Sequence, residues 1–289
     1  MAQSNILITG ATGNVGSELV KKLATANIPF TALVRDAGKT GDLKNFPQAS
    51  IVMGDLADKV SLVQALQGIE KAFLLTNSSK EAEQLQLNFV DAAWEAGVKH
   101  IVKLSQLAAD EQAPVRFLQY HARVERRIRE SGMAYTFLRP NLYMQGFIAF
   151  GDHIRKEGKF YASVGRAAVS VVDVRDIAAV AAVALAEQGH ENKIYNITGE
   201  EALTHYEMGA IFSKVLGKQV EFVDVTPTQM EGAVRAVGFP EWQVGGLIED
   251  YAHYARGEAS AVYHTVRDVT GHMAIRFEQF VEDHRALFS

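Results

Sequence analysis

Three glycines near the N-terminus, Gly10, Gly13 and Gly16, follow one another at three-residue spacing. An apolar run, residues 6–8, precedes them, and apolar residues at helical spacing follow over 17–23, which predicts a buried strand, a tight turn and a helix. In such a turn the first glycine allows the sharp bend. The second lets a diphosphate approach the backbone, and the third lets the helix pack on the strand. The N–H groups and dipole of the new helix also favour a negative group. The pattern predicts dinucleotide binding; an ordinary glycine-rich turn is the alternative.

Polar residues follow the later predicted strands, and we expect them to complete this site. Arg35 lies just past the strand at 30–34, where an acid would bind the adenosine ribose of NAD. An arginine accommodates a 2′-phosphate instead, so NADP is favoured, with NAD still possible because Asp36 is adjacent. A solvated surface arginine is the alternative. The other residues predicted to contact the cofactor from these turns are Thr12, Asn14, Val15, Asp55, Leu56, Leu75, Thr76 and Asn77.

Asp55 and the pair Thr76-Asn77 each have a plainer interpretation. Asp55 could hold the adenine amine, or it could cap the helix that follows. Thr76 and Asn77 would lie beside the diphosphate and the nicotinamide ribose, or they form an ordinary polar turn.

Strand-like and helix-like segments alternate along the chain, which predicts crossover connections and a parallel sheet. Ligands of such sheets bind outside the carboxyl ends of the strands, where these polar residues fall. The predicted strands are residues 6–8, 30–34, 51–53, 72–75, 100–104, 135–138, 168–172, 195–197 and 220–223. The predicted helices are residues 17–23, 59–66, 81–96, 114–131, 204–216 and one opening at 173–178. Gly97 and Gly132 follow two of these helices, as C-terminal glycines commonly do.

The fold class predicted is α/β, a Rossmann-type doubly wound parallel sheet with a small, mostly helical C-terminal substrate lobe. We expect a nucleotide-binding domain over residues 1–145, completed by segments within 168–200. The lobe would comprise 146–167 and 201–289. Its aromatic residues suggest either an apolar substrate pocket or ordinary core; they are Phe147, Phe150, Phe160, Tyr161, Phe239 and Trp242.

Composition excludes several function classes. The 289 residues carry a formal net charge of −5 without a run of lysines and arginines, which argues against a nucleic-acid partner. There are no cysteines, so disulfides and a thiol nucleophile are excluded, and a cytoplasmic location is expected. No apolar run is long enough for a membrane span and no signal peptide is evident. The histidines are scattered, so no metal site is predicted.

Several motifs together resemble the NmrA-like group of atypical short-chain dehydrogenases/reductases, which includes triphenylmethane reductase and the type 2 NAD(P)H:quinone reductases. The likeness covers nearly the whole chain. It rests on residues 10–16, 34–35, 96–101, 135–144, 195–199 and 276–281. The resemblance implies a Rossmann fold, an NAD(P) cofactor and oxidoreductase activity. Pro140, Asn141 and Tyr143 follow the sixth strand, and we expect them to border the nicotinamide, with Tyr143 as a catalytic residue. Tyr143 as a mere apolar wall is the alternative.

The chain departs from the usual catalytic pattern of this superfamily, a tyrosine with a lysine four residues later. Ser105 stands where the superfamily has its serine, but Tyr120 is followed four residues later by Val124. His121 and Glu125 share a helix face instead. We expect Glu125 to accept from the nicotinamide ribose hydroxyls and His121 to face the substrate or deliver a proton. Ser105 is expected both to contact the cofactor and to take part in catalysis. The alternative is a surface pair on an amphipathic helix.

Without that dyad, the sequence favours an NADPH-dependent reductase of quinone-like or conjugated aromatic acceptors, which take hydride at an electron-poor centre. The resemblance leaves two alternatives: a non-catalytic NADP(H)-binding redox sensor, or an isomerase or reductase of a biosynthetic pathway. A homodimer is possible through the helices at 81–96 and 114–131.

Overall fold

The computed structural model describes residues 4–36, 38 and 40–289, so residues 1–3, 37 and 39 of the predicted first domain lie outside it. The strands are β1 (Ile6–Ile8), β2 (Phe30–Val34), β3 (Ala49–Met53), β4 (Lys71–Leu74), β5 (His100–Leu104), β6 (Ala134–Pro140), β7 (Lys159–Ala162), β8 (Ala168–Val169), β9 (Lys193–Ile197), β10 (Leu203–Thr204) and β11 (Glu221–Asp224).

The helices follow nearly every strand. They are α1 (Asn14–Thr25), α2 (Lys59–Ala65), α3 (Ala82–Ala96), α4 (Arg116–Glu130), α5 (Gly151–Glu157), α6 (Val174–Ala186), α7 (His205–Leu216), α8 (Pro227–Ala236), α9 (Glu241–Ala255), α10 (Thr265–Thr270), α11 (Phe277–Asp283) and α12 (Arg285–Phe288). Two 3-10 helices cover Gly41–Asn45 and Met144–Phe150. In the part of the chain that is described, no helix combines the length and the apolar character needed to cross a bilayer.

Seven strands form the central sheet in the order β3-β2-β1-β4-β5-β6-β9. The ladders of β1 with β2 and β4, of β2 with β3, and of β5 with β4 and β6 are all parallel. The central strands β1 and β5 are buried along their whole length, as expected where helices cover both faces of a sheet. The edge strand β3 exposes Ile51 and Met53. The predicted Rossmann-type α/β fold is confirmed.

The chain divides into two compact units. Unit 1 comprises Met1–Gln112, Leu118–Arg139 and Ile177–Tyr195, and unit 2 comprises Ala113–Phe117, Pro140–Asp176 and Asn196–Ser289. The core of unit 1 packs residues of the sheet, such as Leu7, Ile101 and Phe137, against Phe89 of α3 and Val124 of α4.

Local signals account for many of the helix boundaries. Asp58 caps α2 by accepting from the Val60 N–H, so the interpretation of Asp55 as the cap of that helix is wrong. Thr204 and Glu207 form a reciprocal capping box at the start of α7. Gly97 ends α3 in the left-handed conformation, with φ 82°, as predicted.

Pairings between distant segments correct one strand prediction in unit 2 and add one strand that was not predicted. The predicted strand over 168–172 is reduced to β8, because Ser170 leaves the ladder and donates its N–H to the Ala259 carbonyl. The chain at 159–162 forms β7, which pairs in parallel with β11 and was not predicted. Phe147 and Phe160 lie in the core of unit 2, which favours the packing interpretation of these two aromatic residues.

His205 begins α7 inside this aromatic core, with ring centroids 5.1 Å from Phe222 and 5.7 Å from Phe147. Burial lowers the pKa of His205 to about 4, and among the described residues its Nδ1 has no hydrogen-bond partner. The unfolded chain takes up this proton near pH 6.5, whereas the folded protein does so only near pH 4. Protonation of His205 therefore favours the unfolded chain, and the free energy of unfolding decreases as the pH falls between those two values.

Substituting His205→Leu is expected to reduce the acid sensitivity of the fold. Between about pH 7.5 and pH 5 the wild-type protein should lose roughly 2 kcal/mol through this group, a loss that the variant lacks. Urea unfolding at both pH values measures the difference, with the exposed His272→Leu as control. An equal loss in H205L and wild type would show that His205 is not held neutral by burial.

Candidate functional site

The turn between β1 and α1 presents bare backbone at the start of a helix. Gly10 adopts φ +64°, a left-handed conformation that glycine takes without strain, and its carbonyl accepts from the Gly13 N–H at 2.9 Å. Gly13 is the N-cap of α1 and offers no side chain, and no acidic residue lies in the first turn. The N–H groups that begin α1 therefore have no carboxylate beside them, which suits a bound anion.

The three glycines of this turn meet different surroundings. A Cβ on Gly16 would lie 2.0 Å from the Gly10 carbonyl oxygen, and one on Gly10 would lie 2.9 Å from Leu75 Cγ. A Cβ on Gly13 would come no closer than 3.4 Å to any neighbour. Gly16 is thus required by packing, whereas Gly13 keeps a surface of backbone open. This arrangement fits the diphosphate of a dinucleotide.

Hydrogen bonds bring the end of β4 against the end of β1. The Thr9 hydroxyl accepts from the Leu75 N–H at 2.8 Å and lies 2.8 Å from the Leu75 carbonyl oxygen. Gln86 of α3 donates from Nε2 to the Thr76 hydroxyl, while its own Oε1 is buried without a partner among the described residues. Asn77 is exposed. The predicted segment from Leu75 to Asn77 is therefore adjacent to the glycine turn.

The residues predicted to hold the adenosine end lie after β2 and β3. Arg35 is exposed directly after β2. The carboxylate of Asp36 accepts from the Gly38 N–H at 2.8 Å, a local turn that occupies one of its oxygens. Asp55 is exposed and accepts from the Ala57 N–H. These contacts leave the Arg35 side chain on the surface, at the strand end where the sequence predicts a 2′-phosphate.

Helix α3 also supports the turn after β3. Asn88 donates from Nδ2 to the Leu56 carbonyl at 3.0 Å. Gln86 and Asn88 of α3 thus each support one of the predicted cofactor loops. Neither side chain was predicted from the sequence to act at the cofactor site.

Ser105 and Glu125 belong to a buried polar cluster. The Ser105 hydroxyl donates to Glu125 Oε1 at 2.6 Å, and Arg139 of β6 donates from Nε and Nη2 to the same carboxylate at 2.9 and 2.6 Å. Arg129 adds a longer contact of 3.4 Å. Glu125 is fully buried, so its carboxylate has protein donors on both oxygens. A cavity of about 480 Å³ borders the guanidinium side of this cluster.

His121 lies on the same helix but has a different partner. Its Nδ1 is 2.7 Å from Nζ of Lys103, a fully buried lysine on the central strand β5. Burial lowers the pKa of Lys103 to about 7, and burial together with Lys103 holds the pKa of His121 well below its usual range. His121 and Glu125 are both buried, which excludes the interpretation of a surface pair.

Tyr120 connects His121 with the loop after β4. Its ring is 4.1 Å from the His121 ring, centroid to centroid, and its hydroxyl is 3.2 Å from the Ser78 hydroxyl. The structure therefore brings together, within unit 1, the glycine turn, the β4 loop and the start of α4.

The three remaining predicted residues, Pro140, Asn141 and Tyr143, lie in unit 2. Asn141 is buried, and its Nδ2 donates at 2.8 Å to the Ser170 hydroxyl and to the Ala259 carbonyl. Tyr143 is half-buried and bridges in parallel to Val172. The Asn141 amide thus joins three segments of unit 2.

Lys103 is the residue of chemical interest that the sequence analysis passed over. A signal was present, because a lysine inside the otherwise apolar segment 100–104 is unusual for a buried strand. Within residues 4–36, 38 and 40–289, no group of three His, Asp or Glu side chains is arranged to hold a metal ion.

Comparison with known proteins gives three informative likenesses. An NAD(P)H azoreductase from Xenophilus azovorans is 38% identical over 283 residues, covering 98% of this chain and 99% of that protein. The NADPH complex of the quinone oxidoreductase QOR2 from Escherichia coli superposes with a TM-score of 0.89 at 28% identity, covering 97% of this chain and 99% of that one. The NADP(H) complex of triphenylmethane reductase from Citrobacter sp. superposes with a TM-score of 0.85 at 28% identity, covering 96% and 99%.

The match to a protein family extends over most of the chain. Residues 2–261 match the NmrA-like family, and this range includes the glycine turn, the Lys103–His121 pair and the buried cluster around Glu125. With this match and the relative above, which is 38% identical over nearly its whole length, the chain belongs to the NmrA-like family.

Proposed function

We propose that this chain, an NAD(P)H-dependent oxidoreductase, uses NADPH to reduce quinone-like and other conjugated aromatic acceptors, azo compounds among them. The observation that carries the proposal is the glycine turn beside the end of β4, where no side chain caps the first N–H groups of α1. Arg35 is exposed after β2, and His121 lies on α4, the helix that follows β5. The named activities of the related azoreductase and quinone oxidoreductase support this acceptor class.

Each part of the turn has a role in holding the cofactor. The N–H groups at the start of α1 would bind the diphosphate, and the Arg35 guanidinium would bind the 2′-phosphate. Gln86 holds Thr76 in place, so that this loop is preorganised beside the turn. When bound, NADPH supplies a hydride.

The acceptor class follows from the catalytic pair that the site lacks and from the tasks that remain for the chain. Tyr120 is followed by Val124 rather than by a lysine four residues later, so the pair that serves carbonyl reduction is absent. An electron-poor conjugated acceptor takes hydride without such a pair. The chain has to position the acceptor, exclude water and, where the product requires it, provide a proton.

His121 is the residue we propose for that proton, with Ser105 and Tyr143 beside the reacting groups. Glu125 has its carboxylate occupied by Ser105 and Arg139. We therefore propose that it acts on the cofactor through Ser105, whose hydroxyl it orients, and that Pro140 and Asn141 shape the segment after β6.

The direct test is a titration with NADPH and NADH, followed by oxidation assays with a quinone, an azo dye and a cationic triarylmethane dye. We expect NADPH to bind more tightly and to be consumed with at least one acceptor. Tight NADPH binding without consumption across the panel would contradict the reductase and favour a cofactor-binding sensor.

Cofactor preference should depend on Arg35. Removing a charged partner of a phosphate costs about 1.5–3 kcal/mol, so Arg35→Ser should raise the KM for NADPH by about 10- to 100-fold and change the KM for NADH little. Steady-state kinetics with both cofactors measure the shift. The exposed Arg267→Ser serves as a control for loss of positive charge. Equal changes for both cofactors in R35S would assign Arg35 to the solvated surface.

A further inference from the structure

Lys103 is an unusual residue for the middle of a sheet. It lies on β5, in register with Leu74 of β4 and Phe137 of β6, and is fully buried. In the described part of the chain, its Nζ has two hydrogen-bond partners, the Leu104 carbonyl at 3.0 Å and His121 Nδ1 at 2.7 Å. Among the described residues, it has no carboxylate within ion-pair distance. Burying an ammonium without a counter-ion is costly, and a group kept at that cost is a candidate for chemistry.

The contact with Lys103 determines the form of the imidazole. While Lys103 is an ammonium it can only donate, so Nδ1 of His121 then accepts and the proton of the neutral ring is on Nε2. Among the described residues, Nε2 has no hydrogen-bond partner. It is also not one of the side-chain atoms that are both fully buried and unpartnered, so it keeps some exposed surface. His121 therefore presents an N–H donor on one side and is connected to a proton source on the other.

We propose that Lys103 and His121 form a proton relay, in which His121 protonates the reduced acceptor from Nε2 and Lys103 replaces that proton at Nδ1. The proposal rests on the proposed function. It makes His121 the catalytic residue and Lys103 a residue that acts only through His121.

For an azo acceptor the step balances as follows. One nitrogen gains the hydride that the cofactor supplies, the N=N π bond breaks, and the other nitrogen takes the Nε2 proton of His121. The Lys103 ammonium transfers a proton to Nδ1 and becomes a neutral amine. A solvent proton then returns to Nε2, and Nδ1 gives its proton back to Lys103, which restores both groups. The azo group is reduced to a hydrazine and the nicotinamide is oxidised.

The charged groups around the pair are compatible with this cycle. Burial is the largest influence on the pKa of Lys103 and lowers it; Glu125 of α4 raises it and Arg139 of β6 lowers it, which leaves it at about 7. Lys103 and Arg139 add to burial in keeping His121 neutral. Tyr120 is the further titratable group against the ring. Near neutral pH, Lys103 can therefore both hold and release a proton.

The experiment compares two acceptors that differ in their need for a proton. An azo dye needs hydride and a proton, whereas a cationic triarylmethane dye needs hydride alone. In Lys103→Met, kcat with the azo dye should fall by about 10- to 100-fold, with KM little changed, and kcat with the cationic dye should stay within about 3-fold. Lys103→Arg, which keeps the charge but does not release its proton, should behave as K103M does. His100→Gln, a buried histidine on the same strand, is the matched control.

A pH profile of the unaltered protein gives a second readout that does not depend on any variant folding. Azo reduction should fall as the pH rises above about 7, where Lys103 loses its proton, and reduction of the cationic dye should not. Equal losses with both dyes in K103M, wild-type rates in K103R or matching pH profiles would each overturn the relay. If the unaltered protein consumes NADPH with neither dye and with no quinone, the proposed function fails first and the relay fails with it.

Discussion

Replacing Glu125 with leucine is expected to lower the free energy of unfolding by about 3–5 kcal/mol. Glu125 is fully buried and accepts from Ser105, from two nitrogens of Arg139 and, at longer range, from Arg129. Without the carboxylate, the Arg139 guanidinium, only 19% exposed, loses its counter-ion and the Ser105 hydroxyl loses its acceptor. Breaking one side of a buried pair costs more than the pair itself contributes.

Urea unfolding of Glu125→Leu and Glu125→Gln measures this effect. The glutamine keeps the shape and part of the hydrogen bonding, so its loss should be smaller. Glu95→Leu removes a carboxylate from an exposed pair with Lys59 and should change stability little. If E125L unfolded at the wild-type urea concentration, the buried cluster would not stabilise the fold.

The same variants separate two roles of Glu125. If its carboxylate bound the nicotinamide ribose directly, E125Q would weaken NADPH binding with little effect on stability. We expect instead that E125Q lowers stability and has little effect on NADPH binding, since both carboxylate oxygens already accept from protein donors.

Replacing Gly16 with alanine is expected to destabilise the protein by about 3 kcal/mol and to abolish tight NADPH binding. The added Cβ would lie 2.0 Å from the Gly10 carbonyl oxygen and 3.0 Å from the Cα of Ala11, and both are backbone atoms that move only with the whole turn. Alanine is normally the better helix residue by about 1 kcal/mol, so a loss of stability here would identify the close approach as its cause.

Gly13→Ala is the matched variant. Its Cβ would meet only the Gly10 carbonyl oxygen, at 3.4 Å, so the fold should accept it while the bare backbone of the turn is covered. We expect G13A to unfold like the wild type and to bind NADPH about 10-fold or more weakly. Fluorescence titration and urea unfolding of both variants provide the comparison. Unchanged affinity in G13A would place the diphosphate elsewhere.

The sequence by itself determined the local elements of unit 1. A run of apolar residues that ends at a glycine predicts a strand and turn because the backbone preference and the burial are encoded within a few residues. The predicted strand at 100–104 and the α3 boundary at Gly97 were accordingly confirmed. The family resemblance was likewise carried by contiguous motifs such as residues 10–16.

The partners of the buried charges were decided only by the tertiary structure. Periodicity places His121 and Glu125 on one helix face but does not say what that face meets. In the fold, Lys103 reaches His121 from a strand 18 residues earlier, while Arg139 reaches Glu125 from a strand 14 residues later. The strand β7 was missed for the same reason, since it exists through its ladder with β11. Hydrogen bonds and ion pairs between distant segments leave no local pattern, because their geometry arises only when the sheet and its helices have packed.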